Sequence, residues 1–170
     1  MIWVITDTHF YHRRMTELCG RPEDFTARIC AGWRDRVAPA DLVLHLGDVA
    51  FCGLGALGRI MAELPGTIIL VRGNHDRKPS ESYRTRGFAA VCTGIALQGV
   101  WCTHRPALTL PEGCTLNLCG HIHVSPARVP AHTRVLALEA MDYAPQPLDE
   151  IIAGRWTRTD LAVLDTLPVS

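Results

Sequence analysis

The apolar run Thr67-Ile68-Ile69-Leu70-Val71 gives way, after a single arginine, to Gly73-Asn74-His75-Asp76. A β-branched run this short reads as a buried strand, and the glycine lets the backbone turn sharply where the strand stops. Three side chains able to bind a metal or move a proton are thereby held at a rigid strand tip. Alone, the tetrapeptide says little, because Asn, His and Asp after Gly are ordinary turn residues. Its force comes from repetition, since four other apolar runs also end in Asp or His at a turn. Residues 2–6 lead into Asp7-Thr8-His9, 42–46 into Gly47-Asp48, 100–103 into His104-Arg105-Pro106, and 115–119 into Gly120-His121-Ile122-His123.

The segments between these runs set the fold class. Phe25, Ile29, Trp33 and Val37 recur every fourth residue, which predicts a helix over 26–37 with one packed face. A second helix passes through Ile60, Met61 and Leu64 and is stopped by Pro65-Gly66. The order β-α-β-α-β favours a mostly parallel sheet with helices on its faces. Residues 77–86 are polar and basic and read as a solvated helix or loop. Residues 88–91, 94–97 and 100–103, with glycines between them, suggest an antiparallel meander in a second sheet. A last strand is expected at 135–138 and a short helix at 148–154, buried through Leu148, Ile151 and Ile152. The 170 residues are expected to form a single domain, 1–170.

Composition removes several classes of function. The formal net charge is zero, so no global basic field exists to hold a long nucleic-acid tract or a membrane surface. The seven cysteines are odd in number and contain no C-x-x-C pair, which points to reduced thiols in a cytoplasmic protein. The opening residues lack a basic n-region and reach Asp7 too soon for a signal peptide, and no apolar run is long enough to span a bilayer.

In an open α/β sheet, ligands gather outside the carboxyl ends of the strands. Asp7 with His9, Asp48, Asn74 with His75, His104, and His121 with His123 all follow directly on predicted strands. Carboxylate, imidazole and amide oxygen together suit Mn, Fe, Zn or Co. Two divalent ions bring four positive charges, whereas Asp7 and Asp48 return two negatives. Such a site keeps a positive surplus and attracts an anionic ester such as a phosphate.

The series D-x-H, G-D, G-N-H-D, an isolated H and G-H-x-H resembles the calcineurin-like metallophosphoesterases. The parts occur in that family's order from Asp7 to His123. The tail from Glu139-Ala140-Met141-Asp142-Tyr143 to Glu150-Ile151 is similar to the ends of small bacterial members. The resemblance implies a four-layer α/β sandwich of two mixed β-sheets flanked by helices. It further implies that Asp7, His9, Asp48 and His123 hold one metal and that Asp48, Asn74, His104 and His121 hold the other, with Asp48 as the bridge. His75 is placed off the metals, as proton donor to the leaving oxygen or contact to the phosphoryl group, with Asp76 orienting its ring. The implied activity is hydrolysis of phosphomono- or phosphodiesters by a metal-bridging hydroxide. Manganese is the first expectation, with iron, zinc, cobalt or nickel as alternatives. The implied partner is a phosphoester, with nucleotides, cyclic nucleotides and nucleic-acid ends among the candidates, and no obligate protein partner.

Other residues carry blander readings. His45 lies inside an apolar strand and reads as a hydrogen-bonded core histidine or a support to a ligand. His132 reads as a surface residue. His12, Arg13 and Arg105 are candidates for substrate contact, the arginines because a guanidinium pairs with phosphate oxygens, and Arg72 reads as structural. A non-catalytic protein-binding scaffold on the same fold is the alternative to an enzyme. A single structural zinc is disfavoured by an oxygen-rich, cysteine-poor ligand set.

Overall fold

The computed structural model describes residues 1–164. In chain order the elements are β1 (Ile2–Ile5), α1 (Met15–Cys19), α2 (Phe25–Arg36), β2 (Leu42–His45), α3 (Leu54–Met61), β3 (Thr67–Val71), α4 (Ser80–Arg84), β4 (Phe88–Cys92), β5 (Gly94–Leu97), β6 (Val100–Thr103), β7 (Leu116–Cys119), β8 (Arg128–Val129), β9 (Thr133–Val135), a 3-10 turn at Leu138–Ala140, β10 (Gln146–Pro147), α5 (Leu148–Ile152) and β11 (Ala162–Val163).

The first sheet has the order β10-β1-β2-β3-β4, and the second β5-β6-β7-β9; β8 and β11 pair separately. In the first sheet β1, β2, β3 and β4 run parallel, with β10 antiparallel on the edge. In the second, β5 and β6 are antiparallel, while β6, β7 and β9 run parallel. The architecture is thus α/β with two mixed sheets and helices. Both sheets feed one apolar cluster, which joins Val4, Leu44 and Leu70 to Cys102 and Leu118 and to Ile29, Trp33, Leu57 and Ile60 of the helices. The predicted stripe on α2 buries Phe25, Ile29 and Trp33. Trp33 is fully enclosed and donates its indole N–H to the Pro65 carbonyl at 2.9 Å. Truncating it to alanine is a loss of about 3–5 kcal/mol by the usual cost of large aromatic deletions.

Three expectations need correction. Residues 88–92 do not begin a meander; they form β4, the parallel edge of the first sheet, because α4 supplies the crossover that a parallel partner requires. The strand expected at 135–138 ends at Val135, and the chain turns into the 3-10 segment at Leu138. In the second sheet the antiparallel pairing is limited to β5 and β6, since a 12-residue connection returns the chain to lay β7 parallel to β6. Among the described residues, no helix is long and apolar enough to cross a membrane.

Candidate metal centre

All five chemistry-bearing strand ends meet along one rim shared by the two sheets. Within the first sheet, Asp7 N donates to Gly47 O at 2.9 Å and His9 N to Asp48 O at 3.0 Å. Across the sheets, His121 N donates to Asp7 Oδ2 at 2.9 Å. Two glycines make this closeness sterically accessible. A Cβ on Gly73 would stand 2.1 Å from Asp48 Oδ1, and one on Gly120 would stand 2.0 Å from Thr6 Oγ1 and 2.1 Å from Asp7 Oδ2. Asp7, His9, Asp48, His121 and His123 all adopt positive φ, between 45° and 68°. Non-glycine residues there cost roughly 1–3 kcal/mol each and persist where the surroundings enforce them, commonly at functional sites.

One group of facing atoms comprises Asp7, His9 and His123, whose candidate ligand atoms lie within 4.8 Å of one another. His9 Nε2 and His123 Nε2 are 3.2 Å apart, and Asp7 Oδ1 is 3.5 Å from His123 Nε2 and 3.8 Å from His9 Nε2. Asp7 Oδ1 is buried without a hydrogen-bond partner. Burial pushes the Asp7 carboxyl above its ordinary value, against the pull of His123 and His104. Burial also drives His9 down to about 2, reinforced by His123, so its ring is neutral and keeps a lone pair. A buried carboxylate oxygen and two imidazole nitrogens facing each other with too few protons between them suit a cation.

A second group comprises Asp48, His104 and His121, again with ligand atoms within 4.8 Å. His104 Nδ1 donates to Leu46 O at 2.8 Å, which turns Nε2 toward Asn74 Oδ1 at 3.0 Å and Asp48 Oδ2 at 3.4 Å. Burial would raise Asp48, yet His104, the His75 amide and His9 together outweigh it and hold the carboxyl below its ordinary range. Burial acts the other way on His104, and Asp48 and Asp7 overcome it to raise that imidazole. His121 is lowered to about 4 by burial, with His104 and Arg105 adding to the effect. Asp48 Oδ2 lies between the groups, 3.8 Å from His9 Nε2 and 3.4 Å from His104 Nε2. The donor set of carboxylate, imidazole and amide oxygen therefore fits divalent cations of the Mn, Fe, Zn and Co type.

His75 stands at the open side, its side chain 40% exposed and its Nε2 3.9 Å from Asp48 Oδ2. Asp76 does not orient that ring. Its carboxylate is buried and accepts backbone N–H groups from Asp48 (2.7 Å), Gly73 (2.8 Å) and Val49 (3.1 Å), tying the loop after β2 to the loop after β3. Arg72 is structural as read, with its guanidinium on the carbonyls of Asp76 and Lys78. His45 is fully buried and lowered to about 3 by burial. Its Nδ1 accepts from Gly47 N, so Nε2 donates to Thr8 Oγ1 at 2.9 Å. His132 is half-buried rather than a plain surface residue, and its Nε2 donates to Ala107 O at 3.0 Å. His12 stacks on Phe51, and Arg13 and Arg105 are exposed.

Sequence reading missed a buried support beneath the rim. Arg21, 3% exposed, donates to Asp7 O at 2.9 Å and Thr8 O at 3.2 Å and forms an ion pair with Glu139 Oε1 at 2.7 Å. The same Glu139 oxygen is 3.6 Å from His123 Nδ1. Burial would raise Glu139, but His123 and Arg21 bring it down to about 2. Cys19 shares this corner, yet burial followed by the nearby Glu139 lifts its thiol to about 11, which disfavours a thiolate ligand.

Fold and rim together define an α/β protein with a candidate metal centre at the carboxyl ends of strands from two sheets. The chain belongs to the calcineurin-like phosphoesterases, whose family model matches residues 1–109. That match takes in Asp7 through His104 and stops before His121 and His123, which the structure brings to the same rim. Over 82 residues the chain is 33% identical to an uncharacterised protein of Methanocaldococcus jannaschii, covering 45% of this chain and 47% of that protein. The chain thus spans about half the length of the curated relative it matches. A protein of unknown function from Aquifex aeolicus superposes with a TM-score of 0.72 at 27% identity, over 90% of this chain and 98% of that one. The Pseudomonas putida nuclease MPE shares the fold at a TM-score of 0.53 and 21% identity, over 76% of this chain and 64% of the nuclease.

Proposed function

We propose that this chain, acting as one domain, hydrolyses phosphoesters with two divalent cations, one held by Asp7, His9, Asp48 and His123 and one by Asp48, Asn74, His104 and His121. The observation that carries the reading is the position of Asp48 Oδ2, within 4 Å of the Nε2 atoms of His9, His104 and His75 at once. Such ions, manganese first among the candidates, supply Lewis-acid charge for the phosphoryl oxygens and a water acidic enough to attack at neutral pH. The chain's own residues do the rest. Arg21 holds the Asp7–Thr8 backbone by two hydrogen bonds, and Glu139 sets its carboxylate 3.6 Å from His123 Nδ1, so the ligands meet the cations already oriented. His75, exposed beside Asp48, gives its proton to the departing oxygen, which an alkoxide requires.

A diester is the favoured substrate. The half-exposed His75 side leaves room for a group beyond phosphorus, and the Pseudomonas putida neighbour that shares the fold is a nuclease. The test is turnover of bis-p-nitrophenyl phosphate and p-nitrophenyl phosphate with manganese, and its loss on adding EDTA. Metal-dependent cleavage with a preference for the diester is expected. No metal-dependent rate on either compound would overturn the reading and leave the protein-binding scaffold. His75→Ala should retain metal and lose far more rate on alkyl esters than on nitrophenyl esters. Equal losses would make His75 a phosphoryl contact instead.

A further inference from the structure

Seven large apolar residues are exposed among the described residues, and among those residues Phe51 alone lies in ring contact with the candidate centre. Its ring is 40% exposed, although the side chain follows only three residues after Asp48. Backbone pairing holds it there: Phe10 bridges Ala50, and Phe51 N donates to Phe10 O at 2.9 Å. His12, whose N donates to His9 O at 2.9 Å, lays its imidazole flat on Phe51, with centroids 3.8 Å apart and planes 11° from parallel. The Phe51 centroid is 4.8 Å from that of His75 and 5.4 Å from that of His9. The result is a rigid two-ring stack at the mouth of a site built to hold an anion.

Resting on the hydrolase reading above, we propose that Phe51, backed by His12, is a stacking platform that selects phosphoesters bearing a planar base, making the substrate class nucleotide esters rather than simple alkyl or sugar phosphates. The chemistry is complementary on both sides. On this proposal the metal charge and His75 take the phosphoryl group, and the exposed Phe51 ring, its centroid 4.8 Å from that of His75, is within reach of a base joined to phosphorus through a pentose. Stacking is indifferent to base identity because every base presents a π-face, so the platform reads the presence of a base and not its sequence. Tyr11 and Arg13, the chain neighbours of His12, line a groove of about 1020 Å³. Arg13, Arg34 and Arg59 line it, opposed by Glu23, Asp24 and Glu63. Those charges balance, so recognition is assigned to one base at the platform and not to a strand laid along the groove.

The experiment compares kcat/KM for a short deoxyoligonucleotide with that for the same backbone made abasic beside the cleaved phosphate. Bis-p-nitrophenyl phosphate, whose own rings could also meet the platform, runs alongside only to establish that the centre turns over a phosphodiester. The wild-type protein is expected to favour the base-bearing diester by about tenfold, the scale of one aromatic–base stack. Phe51→Ala should bring that ratio close to one, and Phe51→Trp should preserve it. In parallel, 2-aminopurine deoxyriboside monophosphate should be quenched on binding the wild-type protein and much less by Phe51→Ala. Cleavage of bis-p-nitrophenyl phosphate with no difference between base-bearing and abasic diesters overturns the platform alone, as does a ratio that survives Phe51→Ala. Absence of turnover on all three compounds overturns the hydrolase reading, and the fluorescence measurement then decides the platform: no quenching sinks it too.

Discussion

At the N-terminal edge of the first sheet, the Asp41 carboxylate accepts from the Met1 ammonium at 2.5 Å, the Trp3 indole at 2.8 Å and the Ala38 amide at 2.9 Å. At the opposite edge of the same strands, Asp7 Oδ1 is buried with no hydrogen-bond partner, and five of the seven candidate ligands hold positive φ. Both edges begin from the same material, an aspartate at the end of a short apolar strand. One is saturated by donors from its own neighbourhood; the other assembles acceptors from both sheets and leaves them facing each other. A fold selected for stability alone would make the second edge like the first, so the contrast marks where function has displaced local satisfaction.

The comparison breaks most sharply at Asp48. Asp48→Asn should cut bound metal to below one equivalent and lower the rate by more than about a hundredfold. Two full equivalents by elemental analysis would show that Asp48 is no bridge. Gly120→Ala should come next, because the new methyl meets Thr6 and Asp7 at about 2 Å and one side must move. Metal uptake should fall strongly and stability by about 1–3 kcal/mol, and unchanged calorimetric metal binding would mean that the seam between sheets yields freely.

Arg21→Met tests the support beneath the rim. It should weaken metal binding by about 10- to 100-fold and destabilise the protein by leaving Glu139 buried opposite no guanidinium. Adding Glu139→Gln should recover stability in a denaturant melt but not metal affinity. Recovery of both would reduce the pair to ordinary packing. At the saturated edge the effect should be smallest. Asp41→Asn should lower the melting temperature slightly and leave metal binding as it was. The Met1 ammonium, then the Ala38 amide and the Trp3 indole, hold Asp41 down to about 2 from 3.8. Its stabilising share is therefore complete above about pH 4 and disappears as pH falls toward 2. A variant whose acid unfolding curve overlays the wild type would remove Asp41 from the account.

Much of the rim was legible because each proposed ligand sits within four residues of a strand end, and strand ends can be read from short apolar runs. Asp7, Asp48, Asn74 and His104 needed no knowledge of long-range contacts. Asp76 was misassigned for the converse reason. Its adjacency to His75 suggested a pair, but its acceptors are spent on amides 27 and 28 residues away, a closure that local pattern does not encode. Arg21 and Glu139 are 118 residues apart and each looks like an isolated surface charge. The signal that could have found Glu139 was the tail similarity beginning at that residue. The run from Phe88 carried no periodicity to say which sheet it joins; α4 decides that, and the polar stretch 77–86 read equally as helix or loop.

The amide of His121 reaches the carboxylate of Asp7 across 114 positions of chain. Four of the seven proposed ligands, Asp7, His9, Asp48 and Asn74, therefore leave the ribosome before the second sheet begins, and His104, His121 and His123 come only with its strands. A nascent polypeptide truncated before the second sheet carries Asp7, His9, Asp48 and Asn74 without the partners that complete either proposed cation site. The proposed hydrolysis is therefore expected to switch on only when the late strands dock, so that its rate would report finished folding.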